Sequence, residues 1–326
     1  MANTVGACPQ WLVTLALSVT FGHTIAAQHP ADTGRSQVVL EYMGAAGWRV
    51  SDGQTIILID PYLSRIVGPS PPGRSLPRMA GDTRPVYGWE DTIAPDVAAI
   101  DARVPRADFI LVTHTHYDHV LDVPHIALKT GATVIGTVST ANVLRAYGVP
   151  EKQLITVRGG EDYEFGAFSV RVIPSLHSAL DQKHYFSAET APAGMKAPLT
   201  LRQIHPEGGT VAYLVRLRGH QILAFGGMNY IEREIAGLRP DVVLLGAAPS
   251  RKEIYDYTRR AMRALGFPPL VLPTHWDNFM VPYSASQEES SAALQSFIDE
   301  VKAASPKTRV VVPKYFEPIR LGPAGN

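Results

Sequence analysis

Cysteine is almost absent from this sequence: one residue of this type, Cys8, occurs in 326. Cys8 lies in an N-terminal segment that we expect to be removed, so the mature chain would contain no thiol at all. Such a chain can form no disulfide, and a metal site in it must use nitrogen and oxygen ligands instead of thiolate. The near absence of cysteine therefore excludes a disulfide-stabilised fold and a cysteine-type zinc site.

An excess of charge of either sign is also missing. Lys and Arg together number 30, Asp and Glu together number 30, and the formal net charge is +0. A balanced chain has no overall basic field that would attract nucleic acid or an anionic membrane. The apolar share of 45% and the charged share of 18% are ordinary for a globular protein. We therefore expect a small-molecule substrate and no nucleic-acid partner, and the composition does not indicate an oligomeric state.

Charged side chains are absent from residues 1–27, which contain an apolar run from Trp11 to Phe21 and small residues at Ala26 and Ala27. This pattern predicts a secretory signal peptide, although the usual positive N-terminal region is missing. The run is short for a membrane span, and an uncleaved anchor or a misassigned start would explain it differently. We predict an exported protein, periplasmic or secreted, with a signal peptide at 1–27, a single domain at 28–326 and no stable membrane span in the mature chain.

A histidine-rich motif forms the centre of the sequence. Residues 114–119 read H-x-H-x-D-H and directly follow the apolar run 109–112, which predicts a buried strand. Loops at the ends of buried strands commonly carry the chemistry of α/β proteins, and imidazole and carboxylate suit zinc and similar divalent ions. Two more histidines, His177 and His275, also follow predicted strands. This recurrence favours a metal site over a polar turn that is histidine-rich by chance.

The motif resembles the signature of the metallo-β-lactamase fold superfamily. The resemblance implies an α/β fold, a four-layer αββα sandwich with one or two metal ions between the two sheets. It also implies two sets of ligands, each with an open position: His114, His116 and His177 for the first metal, and Asp118, His119 and His275 for the second. We expect zinc, with another divalent metal as an alternative. Metal-bound hydroxide would attack the substrate, and Asp118 would orient that hydroxide.

One position departs from the family pattern. Many members have an aspartate that bridges the two metals after the strand predicted at 221–225, and this chain has Gly227 there. Three consequences are open. The two ions would share only a hydroxide, or one ion would bind tightly and the other weakly, or Asn229 would replace the missing ligand.

The sequences that frame the ligands indicate a branch of the superfamily. Residues 59–62 and 273–279 look similar to those of the L-ascorbate-6-phosphate lactonase-like branch. The first hypothesis is therefore an exported zinc-dependent hydrolase that opens a lactone or ester-type bond. One alternative is a β-lactamase, whose carboxylate clamp would come from Lys183, Lys196 or Arg202. Another is a non-catalytic, metal-binding periplasmic protein, which the missing aspartate would favour.

Several residues near the predicted ligands are candidates for other roles. Tyr230, Trp276 and His184 are predicted to contact the substrate, and Asp277 is predicted to orient a ligand histidine. The proline- and glycine-rich segment 67–90 and the irregular segment 181–210 are candidate walls or lids of the cleft. Two Ser-x-x-Glu patterns, at 250–253 and 286–289, predict the starts of helices through capping boxes.

Overall fold

A computed structural model describes residues 1–2, 37–69, 79, 81–180, 183 and 187–323. The predicted signal peptide, apart from its first two residues, and His184 lie outside these ranges. Residues 36–326 group into one compact unit. Within the described ranges, none of the helices has the length and apolar character that a bilayer-spanning segment needs.

The first of two sheets has seven strands and mixed direction. From one edge to the other they are β14 (Pro318–Arg320), β1 (Val39–Gly44), β2 (Gly47–Ser51), β3 (Ile56–Ile59), β4 (Phe109–Leu111), β5 (Thr133–Gly136) and β6 (Leu154–Thr156). Neighbours are antiparallel from β14 to β3 and parallel from β3 to β6. The carboxyl ends of β3, β4 and β5 therefore meet at one edge of the sheet.

The second sheet repeats this plan with seven strands. In spatial order they are β13 (Arg309–Val310), β12 (Leu270–Thr274), β11 (Val242–Gly246), β10 (His220–Ala224), β9 (Val211–Leu217), β8 (Phe168–Pro174) and β7 (Asp162–Glu164). Neighbours are parallel from β13 to β10 and antiparallel from β10 to β7.

Helices cover the outer faces of both sheets. Those of the first half are α1 (Val97–Arg103), α2 (Tyr117–Val120), α3 (Val123–Thr130) and α4 (Val138–Ala146). Those of the second half are α5 (Glu232–Ile235), α6 (Tyr257–Ala264) and α7 (Glu288–Ala304). One face of α7 is apolar and buried, at Leu294, Phe297 and Val301.

Three hydrophobic layers show how the sheets and helices stack. Consecutive side chains of a strand point to opposite faces, so Ile57 enters the layer between the two sheets while Leu58 enters the layer under the helices of the first half. A third layer lies between the second sheet and its helices, where Val271 packs in the same cluster as Phe297. This order of helix, sheet, sheet and helix confirms the predicted αββα sandwich.

The capping box predicted at 250–253 is wrong. Residues Pro249–Glu253 form a 3-10 helix, and α6 begins only at Tyr257, after Asp256 adopts a positive φ of 48°. The reason is Arg251, which is buried because its guanidinium donates to Ser296 and Glu300 on α7. Tertiary contacts of one side chain thus override the local helix signal.

Candidate metal centre

Two neighbouring strand ends are fixed to each other by one carboxylate. Asp60, which follows β3, accepts hydrogen bonds from the backbone N–H and the hydroxyl of Thr113, which follows β4, at 2.7 and 2.6 Å. Asp60 is completely buried and has a positive φ of 43°. The backbone just before the histidine motif is therefore held in place, and the second half of the motif lies in α2.

The structure brings His114, His116 and His177 together as a first triad, with ligand atoms that all lie within 4.8 Å of one another. Their rings meet edge to face, with centroids 4.6 to 4.8 Å apart. The Nε2 atoms of His114 and His116 are buried without a hydrogen-bond partner among the described residues. Buried polar atoms are normally paired, so these converging nitrogens fit a bound cation.

A second triad consists of Asp118, His119 and His275, again with ligand atoms within 4.8 Å of one another. Asp118 Oδ2 lies 3.3 Å from Nε2 of His119 and 3.1 Å from Nε2 of His275. On the other side of its ring, His119 Nδ1 lies 2.9 Å from Asp60 Oδ2. A carboxylate behind an imidazole ligand is the usual arrangement in metal sites, because it orients the ring and makes the ligand more basic.

The two triads differ in the protons that they hold. Burial lowers the pKa of His114 and His116 well below the usual value, and it lowers the pKa of His177 to about 4. For His119, burial acts in the same direction, but the carboxylates of Asp118 and Asp60 outweigh it and raise the pKa to about 10. At neutral pH the first triad is therefore uncharged, whereas His119 in the second triad is protonated in the metal-free protein.

This difference predicts that the two triads bind metal with different pH dependence. Metal binding to the second triad must displace the His119 proton, so its affinity should rise as the pH rises towards 10, by about tenfold per pH unit. Metal binding to the first triad should release no proton at pH 7. Isothermal titration calorimetry in two buffers of different ionisation enthalpy measures both proton counts. Equal proton release by the two metal equivalents would contradict the prediction.

The turn that carries His275 is held in a left-handed conformation, with a φ of 55°. The His275 N–H donates to the carbonyl of Ala45 at 2.7 Å. Asp277, two residues later, accepts from Tyr42, Ala45, Arg65 and Tyr315 at 2.7 to 3.0 Å. Asp277 therefore fixes the backbone of this turn from the first sheet, whereas Asp60 is the carboxylate that contacts the outer nitrogen of a ligand imidazole, Nδ1 of His119.

The sequence prediction did not assign a role to Asp60. Its signal was an Asp-Pro pair at the end of a predicted strand, which marks a strand end but not a contact with a histidine. The contact with His119 joins residues 59 positions apart and appears only when β3 and β4 lie side by side.

The glycine at the expected position of the bridging aspartate lies against a serine. A Cβ atom on Gly227 would lie 3.0 Å from Ser178 Oγ, a closer contact than real Cβ atoms usually make. Ser178 Oγ also accepts a hydrogen bond from the N–H of Met228 at 2.9 Å. Asn229 is not available as a replacement ligand here, because its amide donates to the carbonyl of His177 and accepts from the N–H of Tyr230.

We expect Gly227→Asp alone to be destabilising, because the new Cβ meets the Ser178 hydroxyl in a buried place. A forced contact of this kind should lower the free energy of unfolding by about 1–3 kcal/mol. Adding Ser178→Ala removes the contacting oxygen but also the acceptor of the Met228 N–H, so the double variant should recover only the part of the loss that exceeds the cost of this hydrogen bond. Urea unfolding of the metal-free single and double variants measures both effects. A single variant as stable as the parent chain would show that the site tolerates the carboxylate without adjustment.

Both triads open into one cavity of about 550 Å³. Trp276 lines this cavity, and its Nε1 atom is buried without a hydrogen-bond partner among the described residues. His205 also lines the cavity and stacks on His116 with ring centroids 4.3 Å apart. Tyr230 lies elsewhere: its ring is buried under the helices of the second half and its hydroxyl donates to the carbonyl of Tyr257. The predicted substrate contact of Tyr230 is therefore not supported by its position.

An αββα sandwich with paired histidine and aspartate triads in its cleft defines the class of metallo-β-lactamase fold proteins. The chain belongs to this superfamily: residues 55–276 match the family model described as the beta-lactamase superfamily domain. A relative from Thermoplasma volcanium, named a UPF0173 metal-dependent hydrolase, is 25% identical over 228 residues, which are 69% of this chain and 86% of the relative.

Solved structures show the same fold. Igni18, a metallo hydrolase from Ignicoccus hospitalis, has a TM-score of 0.53 and 17% identity, with 88% of this chain and 99% of that chain covered. CmlA, a diiron β-hydroxylase from Streptomyces venezuelae, has a TM-score of 0.54 and 18% identity, with 88% and 54% covered. Because a hydrolase and a hydroxylase both align, the reaction must be argued from the site.

Proposed function

We propose that this protein is a zinc-dependent hydrolase that opens a lactone or another ester-type bond of a small molecule. The observation that carries this proposal is the pair of triads facing one cavity, each made of three nitrogen or oxygen ligands. Three such ligands leave a position open, as catalytic zinc sites do and structural sites do not. The curated relatives named metal-dependent hydrolases support the same reaction class.

The six candidate ligands and two buried aspartates would have different roles in this reaction. His114, His116 and His177 would hold one ion, and Asp118, His119 and His275 the other. When bound, such ions polarise the scissile carbonyl and make water a better nucleophile at neutral pH. Asp118 lines the cavity, so its second carboxylate oxygen can orient the attacking water. Asp60 and Asp277 keep His119 and the His275 turn in place while this happens.

The β-lactamase alternative has weaker support from the described residues. Of the three basic residues considered for a carboxylate clamp, Lys183 pairs with Glu253 and Arg202 pairs with Glu90. None of the three, Lys196 included, is among the described residues that line the cavity. The lactonase-like branch within the superfamily, and export to the periplasm or medium, stay predictions. Cell fractionation with an antibody against the chain tests export.

A substrate panel tests the proposed function. The purified chain, stripped with chelator and reloaded with zinc, is assayed against a neutral lactone, a chromogenic cephalosporin and a phosphodiester. We expect turnover of the lactone, loss of that turnover in the stripped protein and recovery on reloading. Preferred turnover of the cephalosporin would favour the β-lactamase alternative. Zinc bound at both triads without turnover of any substrate would favour a non-catalytic metal-binding protein.

A further inference from the structure

The cavity above the triads has an apolar wall. This wall, defined here as Leu180, Met228, Trp276, Phe279 and Met280, lines the space that a substrate would occupy beyond the metal ligands. Phe279 also packs edge to face on the ring of His275, with centroids 5.1 Å apart, so the wall begins at the second triad itself. An apolar group bound against this wall would be removed from water, and each methylene buried in this way should tighten binding about fourfold.

Positive charge is missing from the same lining. Among the residues that the structure describes, no lysine or arginine lines the cavity. The basic groups of the neighbouring segments have partners of their own: Arg65 pairs with Asp277, and Arg251 pairs with Glu300. A carboxylate or phosphate group that enters the cavity beyond the triads would lose its hydrating water without gaining a cationic partner. Burial of an unpaired charge in this way is unfavourable.

Negative charge is present at the rim. Glu289, in the first turn of α7, is exposed and lines the cavity. Asp277 lines the cavity too, but Arg65 balances its charge. Glu289 is therefore placed to repel an anionic tail. Repulsion of an unwanted group is a common source of specificity.

We propose that the part of the substrate that lies away from the triads is uncharged and apolar, and that Glu289 excludes anionic groups from that part of the cavity. This inference rests on the proposed function for its reaction but concerns only the selectivity of the cavity. It assigns the substrate to neutral lactones or esters with a hydrocarbon portion, and it excludes those that carry an anionic group on that portion.

Two thiols of similar size test the selectivity without requiring turnover. A thiol anchors to zinc through its sulfur, so 1-hexanethiol presents an apolar tail to the cavity, and 6-mercaptohexanoate carries its carboxylate on a chain long enough to reach beyond the two ions. Calorimetry on the zinc-loaded full chain gives both Kd values. We expect 1-hexanethiol to bind about tenfold more tightly or better, because its tail meets the apolar wall and the carboxylate meets no cation there.

Matched charge reversals identify the residue responsible. Glu289→Lys should tighten binding of 6-mercaptohexanoate about fivefold, the effect expected of reversing one exposed charge, and leave binding of 1-hexanethiol unchanged. Glu288→Lys is the control, because Glu288 is exposed in the same helical turn but does not line the cavity. Equal Kd values for the two thiols, a preference for the carboxylate, equal effects of the two substitutions or failure of both thiols to bind would overturn the inference.

A parallel assay keeps the two proposals separate. Hydrolysis of the lactone and of p-nitrophenyl butyrate is measured on the same zinc-loaded preparation. Thiol discrimination without any turnover would remove the proposed hydrolase function and leave the selectivity of the cavity. Turnover without thiol discrimination would remove the proposed selectivity of the cavity and leave the hydrolase function.

Discussion

Replacing His116 with alanine is expected to reduce kcat/KM for the best substrate of the panel by about a thousandfold or more, because the first triad loses one of its three ligands. Bound zinc should fall from two equivalents to about one at pH 8, where the second triad can still exchange its proton for metal. Steady-state kinetics and metal analysis of the purified variant measure the two effects.

His125→Ala provides the control for this experiment. His125 lies on α3, outside the cavity lining, and its Nε2 lies 3.0 Å from Asp101. The control should retain activity and both zinc equivalents. Loss of activity in both variants would indicate a general loss of structure, and full activity in His116→Ala would exclude the first triad from the reaction.

Replacing Asp277 with alanine is expected to cause the largest loss of stability. The Asp277 side chain is 0% exposed and that of Arg65 is 2% exposed, and the two are 3.0 Å apart. Without Asp277 the guanidinium keeps its bonds to the carbonyls of Val281 and Asn278 but stays buried without its carboxylate. The Tyr315 hydroxyl loses its acceptor, and the Tyr42 hydroxyl keeps only the carbonyl of Ala45. Removing one partner of a buried ion pair lowers the free energy of unfolding by about 3–5 kcal/mol. Urea unfolding of the metal-free variant and the metal-free parent chain measures this difference in the free energy of unfolding.

The same substitution should also weaken zinc binding at the second triad, because Asp277 bonds to the N–H of Ala45 and Ala45 accepts from the N–H of His275. Asp162→Ala is the matched control. Its partner Arg216 is partly exposed and Asp162 is 48% exposed, so the loss should stay below about 1 kcal/mol. A similar loss in both variants would show that the buried cluster has no special role.

The αββα fold and the division of the six candidate ligands into two sets were predicted from the resemblance of the histidine motif to the superfamily signature, and short local patterns predicted where the strands and the histidines lie. Apolar runs predicted the buried strands, and His177 and His275 each followed such a run. The structure then brings all six side chains into two triads. The strands that precede these residues belong to both sheets, and all six side chains line the same cavity.

What could not be predicted depends on contacts between distant segments. Asp60 reaches His119 only across two paired strands, and Arg251 prevents a helix start through its bonds to α7. Tyr230 follows the strand β10 as a pocket residue would, but its ring turns towards the helical side, where its hydroxyl donates a hydrogen bond to the carbonyl of Tyr257. Local sequence does not determine which way such a side chain turns.

The pairing of β14 with β1 affects how the chain can fold as it is synthesised. Val39 pairs with Arg320, so the edge of the first sheet is completed by residues made 281 positions later. The turn of His275 likewise depends on Tyr42 and Arg65, which are made more than 200 residues earlier. A ribosome-bound chain that ends before β14 would expose β1 as an unpaired edge, which is a site for aggregation. Folding of the metal centre should therefore follow synthesis of the residues around His275, and chaperone protection until then would improve the yield of active protein.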